Sequence, residues 1–337
     1  MTERVLVTGA NGHVGYMLCQ HLLAEGYRVR ASIRDASDTT KAAPLIQLGC
    51  EVVNLEILDE AGFISAMGGV SGAFHVAAVY KNISDNPETE IVRPAVEGAR
   101  NAIVAAARAG VRRLVLTSST RAVGGAAIGG PARTENDWND SAIHAYARAR
   151  TVAERDAWSL AEQLDVDLVV VNPGMVLGPG FRRHTESTMM FQHLIDGRFP
   201  MAPKWLKSTV DVRDVATAHR LALETESARG RHLVINEHAT TLDICSMARL
   251  IDPSLKGVKP LPKMMESLLP LMDWLDSTIH RRPRALTREF IDEFRRCDQR
   301  YDNAKARTEL GWKPVYELQT SIADTLNWIR ARQPDTL

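Results

Sequence analysis

The sequence predicts an α/β protein whose larger part is a doubly wound parallel sheet and whose smaller part is a second α/β lobe. Three observations predict it. Short apolar runs typical of buried strands alternate with amphipathic stretches typical of helices through the first half of the chain. A glycine-rich turn follows the first of these runs, and the regular alternation ends after Pro173. Near-continuous apolar strands joined by helices indicate a parallel sheet that is covered on both faces.

The predicted elements follow one another in a regular order. Strand-like runs occupy residues 5–7, 28–33, 52–55, 73–76, 114–117 and 168–171, and helical stretches occupy residues 16–25, 60–67, 88–109 and 143–164. Ligands of such a sheet bind beyond the carboxyl ends of its strands. The residues at those ends are therefore candidates for a binding site: Gly9, Arg34, Glu56, Ala77, Ser119 and Pro173.

The glycine-rich turn has the sequence TGANGHVG over residues 8–15. Glycine lets the backbone approach a phosphate closely, and the free N–H groups at the start of a helix attract negative charge. The turn therefore predicts a dinucleotide site, and the alternative is an ordinary strand–turn–helix corner. Its position directly behind a hydrophobic strand favours the dinucleotide. The residues expected to contact it are Gly9, Asn11, Gly12, His13, Val14 and Gly15.

The end of the second predicted strand bears on the choice of cofactor. Arg34 closes this strand, and Lys41 lies seven residues beyond it. In such folds an acidic side chain near this point binds the ribose 2′-hydroxyl of NAD, whereas an arginine accommodates the 2′-phosphate of NADP. Arg34 and Lys41 therefore predict NADP(H). Asp35 keeps NAD(H) as a minority option, and the alternative for both cations is a solvated surface position.

Composition excludes several classes of protein. Lys and Arg number 41, Asp and Glu number 41, and the formal net charge is zero, which speaks against nucleic acid as a partner. The four cysteines are scattered without a C-x-x-C pair, so neither a metal site nor a disulfide framework is expected. No stretch approaches the roughly 20 apolar residues of a membrane span, and no signal peptide precedes the first strand. We therefore expect a cytoplasmic protein with no membrane partner.

Further segments carry a resemblance to a known family. They are VRASIRD at 29–35, FHVAA at 74–78, VEGARN at 96–101, LTSS at 116–119, YARAR at 146–150, NPGMVLGP at 172–179, VRDVA at 212–216 and YDNAKARTELGW at 301–312. With the glycine-rich turn they cover roughly residues 4–315. In this order they resemble the extended short-chain dehydrogenases/reductases of the NAD-dependent epimerase/dehydratase superfamily, in particular the dihydroflavonol reductase and cinnamoyl-CoA reductase group.

The resemblance implies how the chain is divided. We expect an NADP-binding Rossmann domain over residues 1–177 plus about 208–240. We expect a substrate-binding lobe over about 178–207 plus 241–330. A chain of 337 residues is long enough for each part to have a core of its own.

The resemblance also implies the reaction, the reduction of a ketone or an aldehyde with NADPH or its reverse. A hydride added to carbon leaves negative charge on the oxygen, which needs a proton donor and a hydrogen bond. Tyr146 is the implied donor and Ser119 the implied hydrogen-bonding residue, chosen over Ser118 and Thr120. Residue 150 shares a helix face with Tyr146, where a cation favours phenolate.

Arg150 stands where the family carries lysine, so the motif departs from the pattern at a catalytic position. Arginine keeps the charge but is effectively never deprotonated, and its fork places donors differently. Three hypotheses follow: a reductase adapted to arginine, a slow reductase, or a non-catalytic NADP-binding or sensor protein. A nucleotide-sugar epimerase-type enzyme is a further alternative, because those enzymes share the scaffold.

Other cofactor contacts are implied by the resemblance alone, with loop packing as the alternative. They are Glu56, Ile57, Ala77, Ala78, Thr117, Tyr146, Arg150, Pro173 and Val176. We interpret His75 as a buried core histidine, because it lies inside an apolar run. We expect His144, two residues before Tyr146, to face another side of the helix.

Substrate identity is indicated only in outline. Residues 181–184 (FRRH) are cationic, and residues 189–191 (MMF) and 205–206 (WL) offer apolar surface. Such walls suit a small aromatic or extended apolar carbonyl compound or alcohol, with an anionic group as an option. Solvated surface is the alternative for Arg182 and Arg183. A homodimer is left open.

Overall fold

The structure is a computed structural model that describes residues 3–77, 84–280, 284 and 286–331. The strands are β1 Arg4–Thr8, β2 Arg28–Ile33, β3 Glu51–Asn54, β4 Gly72–His75, β5 Arg113–Thr117, β6 Ala126–Ala127, β7 Leu168–Pro173, β8 Met175–Leu177, β9 Met201–Ala202, β10 Leu206–Asp211, β11 Gly230–Val234, β12 Glu237–Thr240, β13 Lys259–Pro260 and β14 Cys297–Asp298.

The α-helices alternate with these strands. They are α1 His13–Ala24, α2 Thr39–Leu48, α3 Glu60–Met67, α4 Arg93–Ala109, α5 Ala145–Gln163, α6 Glu186–Ile195, α7 Val212–Glu224, α8 Thr241–Ile251, α9 Lys263–Glu266, α10 Leu269–His280, α11 Arg288–Arg296, α12 Ala304–Glu309 and α13 Leu318–Ala331. A π-helical turn, Glu88–Val92, leads into α4, and a 3-10 turn, Thr120–Ala122, follows β5. Within the described ranges, no helix combines the length and apolar character needed to span a bilayer.

Seven parallel strands form the central sheet in the order β11-β7-β5-β4-β1-β2-β3. The chain builds outward from β1 to β3 on one side and from β4 to β11 on the other. The order therefore reverses between β1 and β4, and the loops that follow these two strands leave a crevice between them. This topology confirms the predicted doubly wound α/β fold.

Both faces of the sheet are covered, because alternate strand residues pack into different cores. Val5 and Val7 pack with Leu18 of α1 and Val215 of α7. Leu6, between them, packs with Ile103 of α4 in the opposite core. Successive side chains of a strand point to opposite faces, so a strand buried on both sides has to be apolar throughout.

A second sheet has the order β12-β10-β8, with β8 parallel and β12 antiparallel to β10. A third core lies here and includes residues of α6, α8 and α13, such as Phe191, Ile244 and Ile322. Asp214 of α7 holds the segment that leads into α13. Its carboxylate accepts hydrogen bonds from the N–H groups of Val315 (2.9 Å) and Tyr316 (3.1 Å). The predicted boundaries of the two domains stay a prediction.

Gly9 allows the loops after β1 and β4 to meet. Its φ is +64°, a left-handed conformation. A Cβ built on Gly9 would lie 2.7 Å from the Cα of Ala77. Real Cβ atoms do not come so close to another backbone, so only glycine fits this position.

Replacing Gly9 with alanine is expected to destabilise the protein more than replacing Gly110. Gly110 ends α4 with a nearly identical φ of +63°, but nothing lies within 4 Å of where its Cβ would be. Both substitutions cost about 1–2 kcal/mol for the left-handed backbone. Only Gly9→Ala adds steric overlap, which costs about 1–3 kcal/mol more. Urea unfolding of both variants measures the difference, and equal losses would contradict the close contact.

Candidate active site

A cleft of about 510 Å³ opens at the carboxyl ends of the central strands. The predicted site residues that line it are Gly9, Asn11, Gly12, His13, Val14, Gly15, Arg34, Glu56, Ile57, Ala77, Thr117, Ser119, Tyr146, Arg150, Pro173 and Val176. Lys41 is not among the lining residues, because it lies on α2 and its ammonium contacts Asp38. Ala78 lies outside the described residues. The fold therefore brings together all of the described candidates except one.

The first turn of α1 forms one end of the cleft. Gly12 precedes the helix and no side chain caps it. The His13 ring donates to the Pro179 carbonyl (3.0 Å) and packs edge-on against Phe181. Burial lowers the His13 pKa to about 4, so this ring is neutral near pH 7. His13 therefore joins the turn to the Pro179 loop without adding charge to the site.

Two charged residues meet where β2 and β3 end. The Arg34 guanidinium lies 3.2 Å from the Glu56 carboxylate, and 79% of the Arg34 side chain is exposed. The other Glu56 oxygen accepts from the Ile57 N–H (2.9 Å). The Asp35 carboxylate accepts from the N–H (3.0 Å) and hydroxyl (2.6 Å) of Ser37. Asp35 is thus engaged by its own turn, whereas Arg34 remains largely open to solvent at the cleft.

The segment at 96–101 supports Ile57 from α4. A Cβ on Gly98 would lie 2.3 Å from Ile57 Cγ1, so the helix approaches closely only because this residue is glycine. The Asn101 side-chain amide donates to the Ile57 carbonyl (3.1 Å). Together these contacts hold residue 57 at the rim of the cleft.

The loop after β4 is held by Thr8. The Thr8 hydroxyl accepts from the N–H groups of Val76 (3.1 Å) and Ala77 (3.0 Å) and contacts Nδ1 of His75 (3.0 Å). Because these two N–H groups occupy both lone pairs of the hydroxyl, its proton remains to be donated to His75. Burial, with a smaller effect of nearby Arg150, lowers the His75 pKa to about 3. The ring is neutral and hydrogen-bonded, as the interpretation of a core histidine requires.

Ser119 follows β5 with an extended backbone and caps the 3-10 turn. Its hydroxyl accepts from the Arg121 N–H (3.2 Å), which leaves the hydroxyl proton to donate into the cleft. The neighbouring Ser118 hydroxyl instead donates to the buried Glu154 carboxylate (2.5 Å). The hydrogen bonds therefore favour Ser119 over Ser118 as the residue that contacts a ligand oxygen.

Tyr146 and Arg150 lie on the first turns of α5, one helical turn apart. The guanidinium carbon of Arg150 is 5.1 Å from the centroid of the Tyr146 ring. Arg150 Nη1 also donates to the Thr117 carbonyl (3.4 Å) at the end of β5. The cation thus lies over the face of the tyrosine ring and joins α5 to the strand that carries Ser119.

A buried polar network lies behind Ser119. Glu154 is 1% exposed, and its carboxylate pairs with the Arg231 guanidinium (2.5 Å) and accepts from the Asn172 amide (2.9 Å). The same amide donates to the Ser119 carbonyl (3.3 Å). Sequence reasoning missed Glu154, because α5 also carries Asp156 and Glu162 and no local pattern shows which of the three acidic residues is buried.

The other end of the cleft contains residues that sequence reasoning also missed. Lys207 Nζ lies 3.6 Å from the centroid of Phe294, and the Arg121 guanidinium pairs with Glu293 (2.8 Å). Phe290 packs on Phe294 with ring centroids 4.8 Å apart. These residues come from β10, α11 and the 3-10 turn, so no local pattern in the sequence connects them.

His144 corrects one expectation. It lines the same cleft as Tyr146, and its ring lies 5.3 Å from that of Phe290. The expectation failed because His144 is the N-cap of α5 with extended backbone angles, so helical spacing does not apply to it. Burial, with Arg121 nearby, lowers the His144 pKa to about 4.

The loop after Pro179 only partly matches the predicted substrate wall. Phe181 and Phe191 are fully buried in the third core rather than in the cleft. Met190, Arg182 and Arg183 do line the cleft, and both arginines are also exposed. Alternation along a strand or helix cannot reveal which aromatic residue of an irregular loop turns inward.

Comparisons of the sequence and of the fold identify similar proteins. The sequence profile of the NAD-dependent epimerase/dehydratase family matches residues 5–236. Cinnamoyl-CoA reductase CAD2 of Medicago truncatula is 34% identical over 273 residues, which cover 75% of this chain and 82% of the relative. Dihydroflavonol 4-reductase of Zea mays is 31% identical, with 79% of each chain covered. The crystal structure of gox2253 superposes with a TM-score of 0.85 at 27% identity and covers 98% of both chains.

Lys207 is expected to titrate near neutrality. Burial is the main cause that lowers its pKa to about 7, Arg121 acts in the same direction, and Glu293 opposes them. The side chain should therefore be charged below pH 7 and neutral above it. NMR of protein labelled with ¹⁵N-lysine, with Lys207→Met for assignment, measures the midpoint. A midpoint for Lys207 near about pH 10, the value of a lysine in water, would contradict the expected burial effect.

Proposed function

This chain belongs to the NAD-dependent epimerase/dehydratase family, in its extended short-chain dehydrogenase/reductase group, and from that premise we propose that it reduces a ketone or an aldehyde with NADPH, or oxidises the corresponding alcohol. Members of this group are NAD(P)-dependent oxidoreductases. The observation that carries the proposal is the convergence of Tyr146, Arg150 and Ser119 on one cleft. The two relatives are named as reductases, which supports the same reaction class.

The residues at the first turn of α1 fit a dinucleotide. The helix begins without a side-chain cap, so its first N–H groups remain available to a pyrophosphate. A Cβ on Gly15 would lie 2.3 Å from the Gly9 carbonyl oxygen, so the turn stays tight only with glycine. At the other end of the cofactor site, Arg34 supports a preference for NADP, because its exposed guanidinium suits a 2′-phosphate. When bound, the dinucleotide supplies the hydride.

Tyr146 and Ser119 act on the carbonyl oxygen in the proposed reaction. The oxygen gathers negative charge as the carbon is reduced, and Tyr146 donates the proton that neutralises it. Ser119 donates a hydrogen bond to the same oxygen, since its hydroxyl already accepts from Arg121 N–H. The buried pair of Glu154 and Arg231 keeps Ser119 in place through Asn172.

Arg150 contributes a fixed positive charge beside the phenol. The charge favours the tyrosinate that remains after proton transfer, and the bond to Thr117 keeps the guanidinium in place. An arginine does not pass protons, because it stays protonated. Reprotonation of Tyr146 therefore proceeds without the side chain at position 150.

Tyr146→Phe is expected to lower kcat for carbonyl reduction by about 10²- to 10⁴-fold, the usual contribution of a general acid. NADPH affinity should change little, because the ring and its contact with Arg150 remain. Arg150→Lys, assayed in parallel, should retain turnover. Measurements are NADPH oxidation with a panel of aromatic aldehydes and ketones, and NADPH binding by fluorescence.

Each outcome of this comparison has a distinct meaning. Wild-type turnover that Tyr146→Phe leaves intact would refute the assignment of Tyr146. If both wild type and Arg150→Lys bind NADPH but only the lysine variant turns over, the protein is a cofactor-binding scaffold rather than a reductase. Turnover by both would support arginine as a functional substitute.

Arg34→Ala is expected to weaken NADPH binding about tenfold, the effect of losing one charge-assisted contact to phosphate. NADH lacks the 2′-phosphate, so its affinity should change much less. Lys41→Ala is the comparison variant, and its effect should be smaller because Lys41 contacts Asp38 outside the cleft. Isothermal titration calorimetry with both cofactors measures the effects. Equal losses for NADPH and NADH in Arg34→Ala would refute the role of Arg34.

A further inference from the structure

We propose that the end of the cleft formed by Lys207, Phe290 and Phe294 binds a carboxylate-bearing substrate, with Lys207 as the counter-ion and the phenylalanine rings against its flat, unsaturated body. This proposal deepens the proposed function and rests on it, because it names the class of carbonyl compound that the same cleft would take. We call this set of residues, with Arg121 and Glu293, the Lys207 end of the cleft.

Lys207 faces aromatic rings rather than an acid. Its ammonium lies 3.6 Å from the Phe294 centroid and 5.9 Å from that of Trp205. Across the part of the chain that the structure describes, no hydrogen bond or ion pair to this ammonium is formed. The lysine is nonetheless at the wall of the cleft, where a ligand would meet it.

The neighbouring charges leave Lys207 uncompensated. Glu293 is paired with Arg121 at 2.8 Å, and the two side chains together carry no net charge. His144, on the adjacent N-cap of α5, is neutral near pH 7 because its pKa is lowered to about 4. Of the groups packed at this end, Lys207 is therefore the source of net positive charge whenever it is protonated.

Lys207 is half-buried. A cation withdrawn from water without a counter-ion is costly, and contact with the face of a phenylalanine ring offsets only part of that cost. A ligand carboxylate would accept a hydrogen bond from the Lys207 ammonium. A single carboxylate would also neutralise its single positive charge. The ring of Phe294 is already stacked on Trp205 at 5.0 Å and packed by Phe290 at 4.8 Å. The cleft thus offers an apolar wall that ends in a cation, which suits a flat acid better than a neutral compound of the same shape.

Tyr146 lines the same cleft as Lys207. A substrate with its carbonyl at Tyr146 and Ser119 would therefore place an acidic group at Lys207 if a body of suitable length separates the two groups, and the phenylalanine rings favour a flat, unsaturated one. Aromatic and cinnamyl aldehydes with a carboxylate at the far end meet this requirement. These two classes of aldehyde differ in length, so together they test a shorter and a longer separation between the carbonyl and the carboxylate.

The test compares each acid with its neutral ester. The probes are 4-carboxybenzaldehyde and 4-carboxycinnamaldehyde, each with its methyl ester. Affinity is measured by calorimetry on protein saturated with NADP⁺, where no reduction occurs, and kcat/KM is measured separately with NADPH. The variants are Lys207→Met, which keeps length but removes charge, and Lys204→Met, a matched control at an exposed lysine outside the cleft.

For at least one of the two bodies, the wild type should bind the acid on the order of 10- to 100-fold more tightly than its ester, the range of one charge-assisted hydrogen bond. Lys207→Met should abolish this preference, and Lys204→Met should preserve it. Lys207→Arg should retain the preference in part, and it keeps the test valid if the methionine variant fails to fold.

Three results would overturn the proposal. They are equal affinity for acid and ester in the wild type, an unchanged preference in Lys207→Met, and a preference lost only when Arg182 and Arg183 are replaced together. Affinity is measured under conditions in which no reduction occurs. The carboxylate site and the reductase activity can therefore be refuted independently of each other. Acid preference without turnover of these probes or of any compound in the carbonyl panel would support the Lys207 end of the cleft while refuting the reductase.

Discussion

The contact between Gly9 and the backbone of Ala77 is the constraint on which the site depends. β1 and β4 are neighbours, and the chain leaves them toward opposite halves of the sheet, so their loops must share one narrow space. A glycine with positive φ and the Thr8 hydroxyl make this arrangement possible. The first turn of α1, the end of β4 and the end of β5 then surround the same crevice. The positions of these three walls of the cleft therefore depend on the contact between Gly9 and Ala77.

The parts of the molecule that local pattern controls were predicted well from the sequence. The helix expected over 143–164 is Ala145–Gln163, and the strand expected over 73–76 is Gly72–His75. A continuous helix expected over 88–109 begins instead with a π-helical turn just before Pro94, where the Arg93 N–H donates to the Glu88 carbonyl. Proline has no N–H to donate, so the regular ladder is interrupted there. Tyr146, Arg150 and the glycine-rich turn were found because their spacing is local.

What could not be predicted depends on segments that are far apart in the chain. Lys207 of β10 meets Phe294 of α11, and Glu154 of α5 meets Arg231 of β11. No periodicity in the sequence indicates that a lysine will lie against an aromatic ring, and Lys41, a more conventional candidate, lies outside the cleft. The functional roles of the predicted residues, the domain boundaries, the homodimer and the cytoplasmic location stay predictions.

The guanidinium stacked on Tyr146 also changes how the site responds to its surroundings. A lysine at this position would bring a second ionising group whose charge depends on pH, on cofactor and on substrate. An arginine side chain holds its proton throughout the range in which proteins stay folded. The contribution of Arg150 to the electrostatic field at the phenol is therefore constant once the chain has folded. In the proposed reaction, Tyr146 would then be the one side chain of this pair that gains and loses a proton. The Arg150 cation is held by the Thr117 carbonyl and by the face of the tyrosine ring.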